Sequence, residues 1–114
     1  AYAEAAESLE RELKLVAELT ERGQIAGRLA RLYELLDNPH AAIRALDLVR
    51  KADLEDFDAL TRLSELCERV GQWERVAELL QERIEVEADE GEAAQLTRRL
   101  ADVLACRHIA RGLV

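Results

Sequence analysis

The chain repeats itself, and the period is that of a helical pair. Leu29-Ala30-Arg31-Leu32-Tyr33-Glu34 matches Leu63-Ser64-Glu65-Leu66-Cys67-Glu68 at a shift of 34 residues, and the match runs on without a gap. Leu36 falls on Val70, Asp37 on Gly71, Pro39 on Trp73, Ala42 on Val76 and Leu46 on Leu80. A longer match joins 2–32 to 73–103 at a shift of 71. It sets Ala6 on Ala77, Leu9 on Leu80, Leu13 on Ile84, Gln24 on Gln95, and Arg28-Leu29-Ala30 on Arg99-Leu100-Ala101. A 34-residue unit therefore alternates with one of 71 − 34 = 37 residues. The extra length is expected in the loop near Asp89-Glu90-Gly91. Units of this size stack side by side, because none can bury its apolar face alone.

Each unit carries the apolar spacing of helices. Ile25, Leu29, Leu32, Tyr33 and Leu36 form one stripe, and Leu60, Leu63, Leu66, Cys67 and Val70 form its equivalent. Val76, Leu79, Leu80, Ile84 and Val86 line a partner helix. Pairs such as Glu7–Arg11, Glu10–Lys14, Glu18–Arg22 and Glu65–Arg69 have the spacing of neighbours on one helix face. Asp37-Asn38-Pro39 marks a boundary, with a polar cap followed by proline in the first turn. Gly71 supplies a left-handed stop, and Asp89-Glu90-Gly91-Glu92 places acids where the helix dipole favours them. These signals predict helices over 3–20, 22–36, 39–52, 56–70, 73–88 and 92–107. The abundance of Ala, Leu, Glu and Arg agrees, since these residues favour helix most. The prediction is a single all-α repeat domain over 1–114.

The repeat resembles the tetratricopeptide repeat family. That family has a 34-residue helix–turn–helix unit, with a small residue after a Leu in the first helix, an aromatic one turn later, and a Gly-x-aromatic turn. Here the small residues are Ala30, Ser64 and Ala101, Tyr33 is the aromatic, and Gly71-Gln72-Trp73 is the turn. Ala42 and Val76 hold the later small position. Cys67 and Leu104 replace the aromatic elsewhere, Asp37-Asn38-Pro39 replaces one Gly turn, and Val76 is larger than the usual Ala. The alternating unit lengths look like the degenerate arrays of very large bacterial repeat proteins. The resemblance implies an α-solenoid of antiparallel helix pairs, about three repeats cut out of phase. It also implies a protein-binding or scaffolding role in a concave groove lined by first helices.

The charges narrow the partners. A net charge of −8 disfavours nucleic acid, whose backbone is bound by clustered positive charge. No apolar run approaches the ~20 residues of a membrane span. Cys67 and Cys106 have neither CxxC nor metal spacing and read as reduced thiols packed like small hydrophobes, which favours a cytoplasmic setting. His40 and His108 lie in separate units, and no nucleophile–base pair, metal set or Gly-rich phosphate loop emerges. Gly23 and Gly27 do not follow a strand. No catalytic residue, cofactor or metal is therefore expected, and the chain reads as a binding module rather than an enzyme.

One ladder stands out for binding. Arg28, Arg62 and Arg99 occupy equivalent places in successive first helices. At roughly 10 Å between packed helices, such guanidinium groups could grip an acidic peptide. Gln24, Arg31, Glu34, Thr61, Glu65, Gln95, Arg98 and Asp102 are the further groove candidates. Against the ladder stands local pairing, of Arg62 with Asp58 or Glu65 and of Arg99 with Asp102, whereas Arg28 has no such acid beside it. The clamp that some family members use for a C-terminal carboxylate is not expected, because the first helices lack Asn and both lysines lie in second helices. Trp73 and Tyr2 read as stacking between helices rather than as surface anchors. Leu100, Val103, Leu104 and the tail Ile109, Leu113 and Val114 are expected to lack cover. The array would then continue in a longer parent at both ends, or form a homo-oligomer by pairing with a copy of itself.

Overall fold

The computed structural model describes residues 1–112. Among them are six α-helices and no strand: α1 (Tyr2–Leu15), α2 (Leu19–Leu35), α3 (Pro39–Ala52), α4 (Phe57–Arg69), α5 (Trp73–Val86) and α6 (Glu90–Ala110). The chain divides into two compact units, Ala1–Leu66 and Cys67–Val114, with the division inside α4. No helix of the described residues is long and apolar enough to cross a membrane.

The helix bounds reproduce the sequence register. α1 and α5 differ by 71 at both ends, and α3 and α5 differ by 34 at both ends. The turns repeat in the same way. After α2, the Asp37 N–H donates to the Glu34 carbonyl and the Asn38 N–H to the Tyr33 carbonyl. After α4, the Gly71 N–H donates to Glu68 and the Gln72 N–H to Cys67. Both ends are Schellman closures, which need a left-handed residue. Asp37 (φ 54°) and Gly71 (φ 78°) supply it. The aspartate thus fills the conformational place that Gly71 holds in the equivalent turn. Asn38 then caps α3, its Oδ1 accepting the Ala41 N–H at 3.2 Å, with Pro39 at the helix start.

Capping also explains where the predicted bounds fail. α1 was expected to run to residue 20, yet it stops at Leu15, because Glu18 leaves the helix to cap α2. Its carboxylate accepts the Thr20 N–H at 3.0 Å and the Glu21 N–H at 2.8 Å. These bonds, the one from Glu21 first, hold its pKa below the ordinary 4.5. Asp89, 71 residues later, caps α6 on the N–H groups of Gly91 and Glu92. Glutamate is not a preferred cap, so the first of these starts was not legible. Arg22 points to the end of α1, donating from Nη1 to the carbonyls of Leu13 (2.7 Å) and Val16 (2.9 Å), rather than pairing with Glu18. The extra residues of the longer unit are not in a loop. α2 is four residues longer than α4 (17 against 13), and both α2 and α6 start one turn earlier in register.

In the first unit α1 and α2, and α2 and α3, are antiparallel, as their three-residue connections require. The start of α2 meets the end of α3 where Gly23 faces Ala52, and Gly27 faces Val49 further along. Leu9, Leu13, Ile25, Leu29, Ile43, Leu46, Leu60 and Leu63 make the core, with Ala26, Ala30 and Ala42 wholly buried. Burying each Leu or Ile contributes roughly 1.5–3 kcal/mol. Leu32 and Tyr33 are half-buried, and Leu36 is exposed at the helix end.

In the second unit, α5 and α6 pack together, and Glu74 at the start of α5 is ion-paired with Arg111 beyond the end of α6. Val76, Ala77, Leu79, Leu80, Cys67 and Val103 are buried. Val103, expected to lack cover, is 2% exposed, and Leu100 and Leu104 are half-buried, because the α5 stripe covers that side of α6. Ile109 is exposed as expected, while Leu113 and Val114 lie outside the described residues. Val86, expected in the stripe, is the last residue of α5 and is exposed. Ala101 is exposed, although its equivalents Ala30 and Ser64 are buried. Trp73 is half-buried beside Gly71, but Tyr2 lies half exposed at the first turn of α1.

Candidate functional site

The first unit holds a cleft of about 360 Å³. Gln24, Gly27, Arg28 and Arg31 line it from α2, Leu46 and Val49 form its floor from α3, and Asp56, Asp58, Ala59 and Arg62 close it from the start of α4. Gln24, Arg28 and Arg31 recur at helical spacing, which turns them to one face. Gly27 faces Val49 of the α3 floor, where an added Cβ would meet the Val49 Cγ2 at an ordinary 3.9 Å.

The ion pairs are not local. Arg62 donates from Nη2 to Glu34 Oε2 at 2.7 Å, joining α4 to α2, and leaves Asp58 and Glu65 aside. In the second unit, Arg99 pairs with Glu68 rather than Asp102. The two pairs are equivalent in the repeat, Glu68 being Glu34 + 34 and Arg99 being Arg62 + 37. Local spacing had suggested intrahelical partners, but the glutamates on the neighbouring first helices are the ones the guanidinium groups reach. Among the described residues neither Arg28 nor Arg31 has an ion-pair partner. Both are exposed at the cleft.

Of the expected groove residues, the cleft brings together Gln24, Arg28, Arg31 and Arg62. Glu65 is exposed on α4 and does not line it. Gln95, Arg98 and Arg99 belong to α6 in the second unit, all three exposed, with Arg98 in the place equivalent to Gly27. Sequence reasoning missed the acidic rim of Asp56 and the apolar floor of Leu46 and Val49. Asp56 could have been found, since an Asp just before an apolar stripe is a cap signal. Its Oδ1 accepts the Ala59 N–H at 3.0 Å.

The arrangement offers an apolar floor with two guanidinium groups that make no ion pair among the described residues, and the carboxylates of Asp56 and Asp58 in the same cleft. Among the described residues no group of three or more His, Cys, Asp or Glu could hold a metal ion. His40 and His108 are exposed, Cys67 is a buried free thiol and Cys106 a half-buried one.

A second cleft of about 390 Å³ lies within the other unit, between Trp73 at the start of α5 and Arg107 and Arg111 at the end of α6. The ion pair of Arg111 with Glu74 occupies its edge. No family model, curated protein or solved structure matches this chain.

Proposed function

We propose that this chain is a tetratricopeptide-like protein-interaction module of the cytoplasm, without catalytic activity of its own, and that the cleft of the first unit takes an acidic segment of a partner protein. The observation that carries the reading is the pair Arg28 and Arg31. They stand at an apolar-floored cleft with no ion-pair partner among the described residues, while the equivalent ladder members Arg62 and Arg99 are compensated. A guanidinium group left without an acid is the natural seat of an incoming carboxylate, which it holds through two parallel hydrogen bonds. Gln24 beside them can bond to a peptide backbone, and the half-buried Val49 suits an apolar side chain next to the acid.

The test is a selection of short displayed peptides on the native chain and on an Arg28→Glu, Arg31→Glu variant. The reading expects Asp- or Glu-bearing binders with an adjacent apolar residue, lost from the variant. Binders of no charge preference, or acidic binders that both forms keep equally, would move the site elsewhere.

A further inference from the structure

α2 and α3 meet through small side chains. Gly23 faces Ala52 and Gly27 faces Val49, while Ala26, Ala30 and Ala42 are wholly buried. The repeat register carries the α2 side of this contact onto α6. Gly23, Ala26, Gly27 and Ala30 become Ala94, Thr97, Arg98 and Ala101 at + 71. It carries the α3 side onto α1, where Ala42, Ala45, Val49 and Ala52 become Ala5, Ser8, Glu12 and Leu15 at − 37. The helix bounds obey the same offset, Pro39–Ala52 against Tyr2–Leu15.

On α3 this face is covered, Ala42 and Ala45 being buried. On α1 all four equivalents are exposed, Leu15 at 86%. The equivalents on α6 are exposed as well. The chain therefore displays separately the two halves of a contact that α2 and α3 make internally. Brought together in the α2–α3 manner, the halves set Arg98 opposite Glu12, where the internal contact has Gly27 opposite Val49. They set Ala94 opposite Leu15, where it has Gly23 opposite Ala52. The charges are complementary in the middle and the end is apolar. Two cations or two acids at these places would have argued the reverse.

We propose that α6 of one copy receives α1 of a second copy in this register, with Arg98 ion-paired to Glu12. The two faces differ, so the contact is heterologous rather than self-facing. The helices must stand further apart than α2 and α3 do, because a Cβ at position 23 already meets the Ala52 Cβ at 2.4 Å. Leu15, Arg98 and Glu12 have the length to fill the wider gap. Neither Arg98 nor Glu12 lines the acidic-segment cleft, so this proposal and the peptide-binding one fail independently.

The test is sedimentation of the whole chain from micromolar to millimolar concentration at low salt. Concentration-dependent association is expected. Arg98→Glu alone and Glu12→Arg alone should each weaken it about tenfold, as like charges then face each other. The chain carrying both changes, and a one-to-one mixture of the two single variants, should regain it. Both positions are exposed, and circular dichroism would verify that the variants keep their helices. A chain that stays monomeric throughout overturns the proposal. So does association indifferent to either reversal, or loss that the paired changes fail to repair.

Discussion

Gly23 and Ala52 approach so closely that a Cβ on Gly23 would sit 2.4 Å from the Ala52 Cβ. The methyl of Ala52 is fixed to its backbone and cannot turn aside, so a larger residue at 23 must push α2 from α3. Gly23→Ala should therefore destabilise the chain by about 1–3 kcal/mol, despite the better helix propensity of alanine. Gly27 is the control. Its Cβ would meet Val49 at an ordinary 3.9 Å, so Gly27→Ala should stabilise by up to about 1 kcal/mol. Urea unfolding of both variants tests the pair, and equal shifts in one direction would contradict the close approach.

Gly71 stands at φ 78°, the conformation Asp37 adopts at φ 54° in the equivalent turn. An alanine there meets no crowding, since the nearest atom is the Trp73 indole nitrogen at 3.9 Å. The cost is the backbone's alone. Gly71→Ala should lose about 1–2 kcal/mol, and Gly71→Asn less, because asparagine tolerates the left-handed region. Thermal unfolding of the two variants would show whether that order holds.

Glu18 and Tyr33 predict opposite pH dependences. The Glu18 carboxylate is held below its ordinary 4.5 by the N–H groups of Glu21 and Thr20. Its contribution to stability is full above pH 4.5 and disappears as pH falls through the lowered folded value. The stability gap between the native chain and Glu18→Gln should close on that acid limb. Tyr33 is raised above 10 by burial first and by its 2.8 Å hydrogen bond to Glu10 second. Its contribution is full below pH 10 and fades as pH rises through the raised folded value. Tyr33→Phe should cost about 0.5–1.5 kcal/mol at neutral pH, the difference narrowing in alkali. A gap that stayed constant with pH would refute either assignment.

The ladder arginines should separate stability from binding. Arg62→Ala leaves Glu34 without its 2.7 Å partner and should destabilise by about 1 kcal/mol, the pair being partly shielded from water. Arg28→Ala should stay within about 0.5 kcal/mol of the native chain, as expected of an exposed residue without a partner. If the cleft takes an acidic segment, Arg28→Ala should nevertheless weaken a selected acidic peptide roughly tenfold. Titration calorimetry beside urea unfolding reads both quantities.

The sequence by itself determined the helices, their register and most of the core. Those features rest on local spacing: apolar residues recurring at helical period, and the cap Asn38, which needs only its own neighbours. It did not reveal the Glu18 cap, because glutamate seldom plays that part, and it put into a loop the residues near Asp89 that form the cap and extra first turn of α6. The partners of charged groups were decided only by tertiary structure. Arg62 and Arg99 had acids within a turn, yet each reaches a glutamate 28 and 31 residues away, respectively, on another first helix. Likewise the spacing put eleven residues in a groove, and packing gathered Gln24, Arg28, Arg31 and Arg62 around a floor of Leu46 and Val49. A long flexible side chain takes whichever partner the packed backbones bring within reach. That distance is set by contacts such as Gly23 on Ala52, which no local pattern encodes.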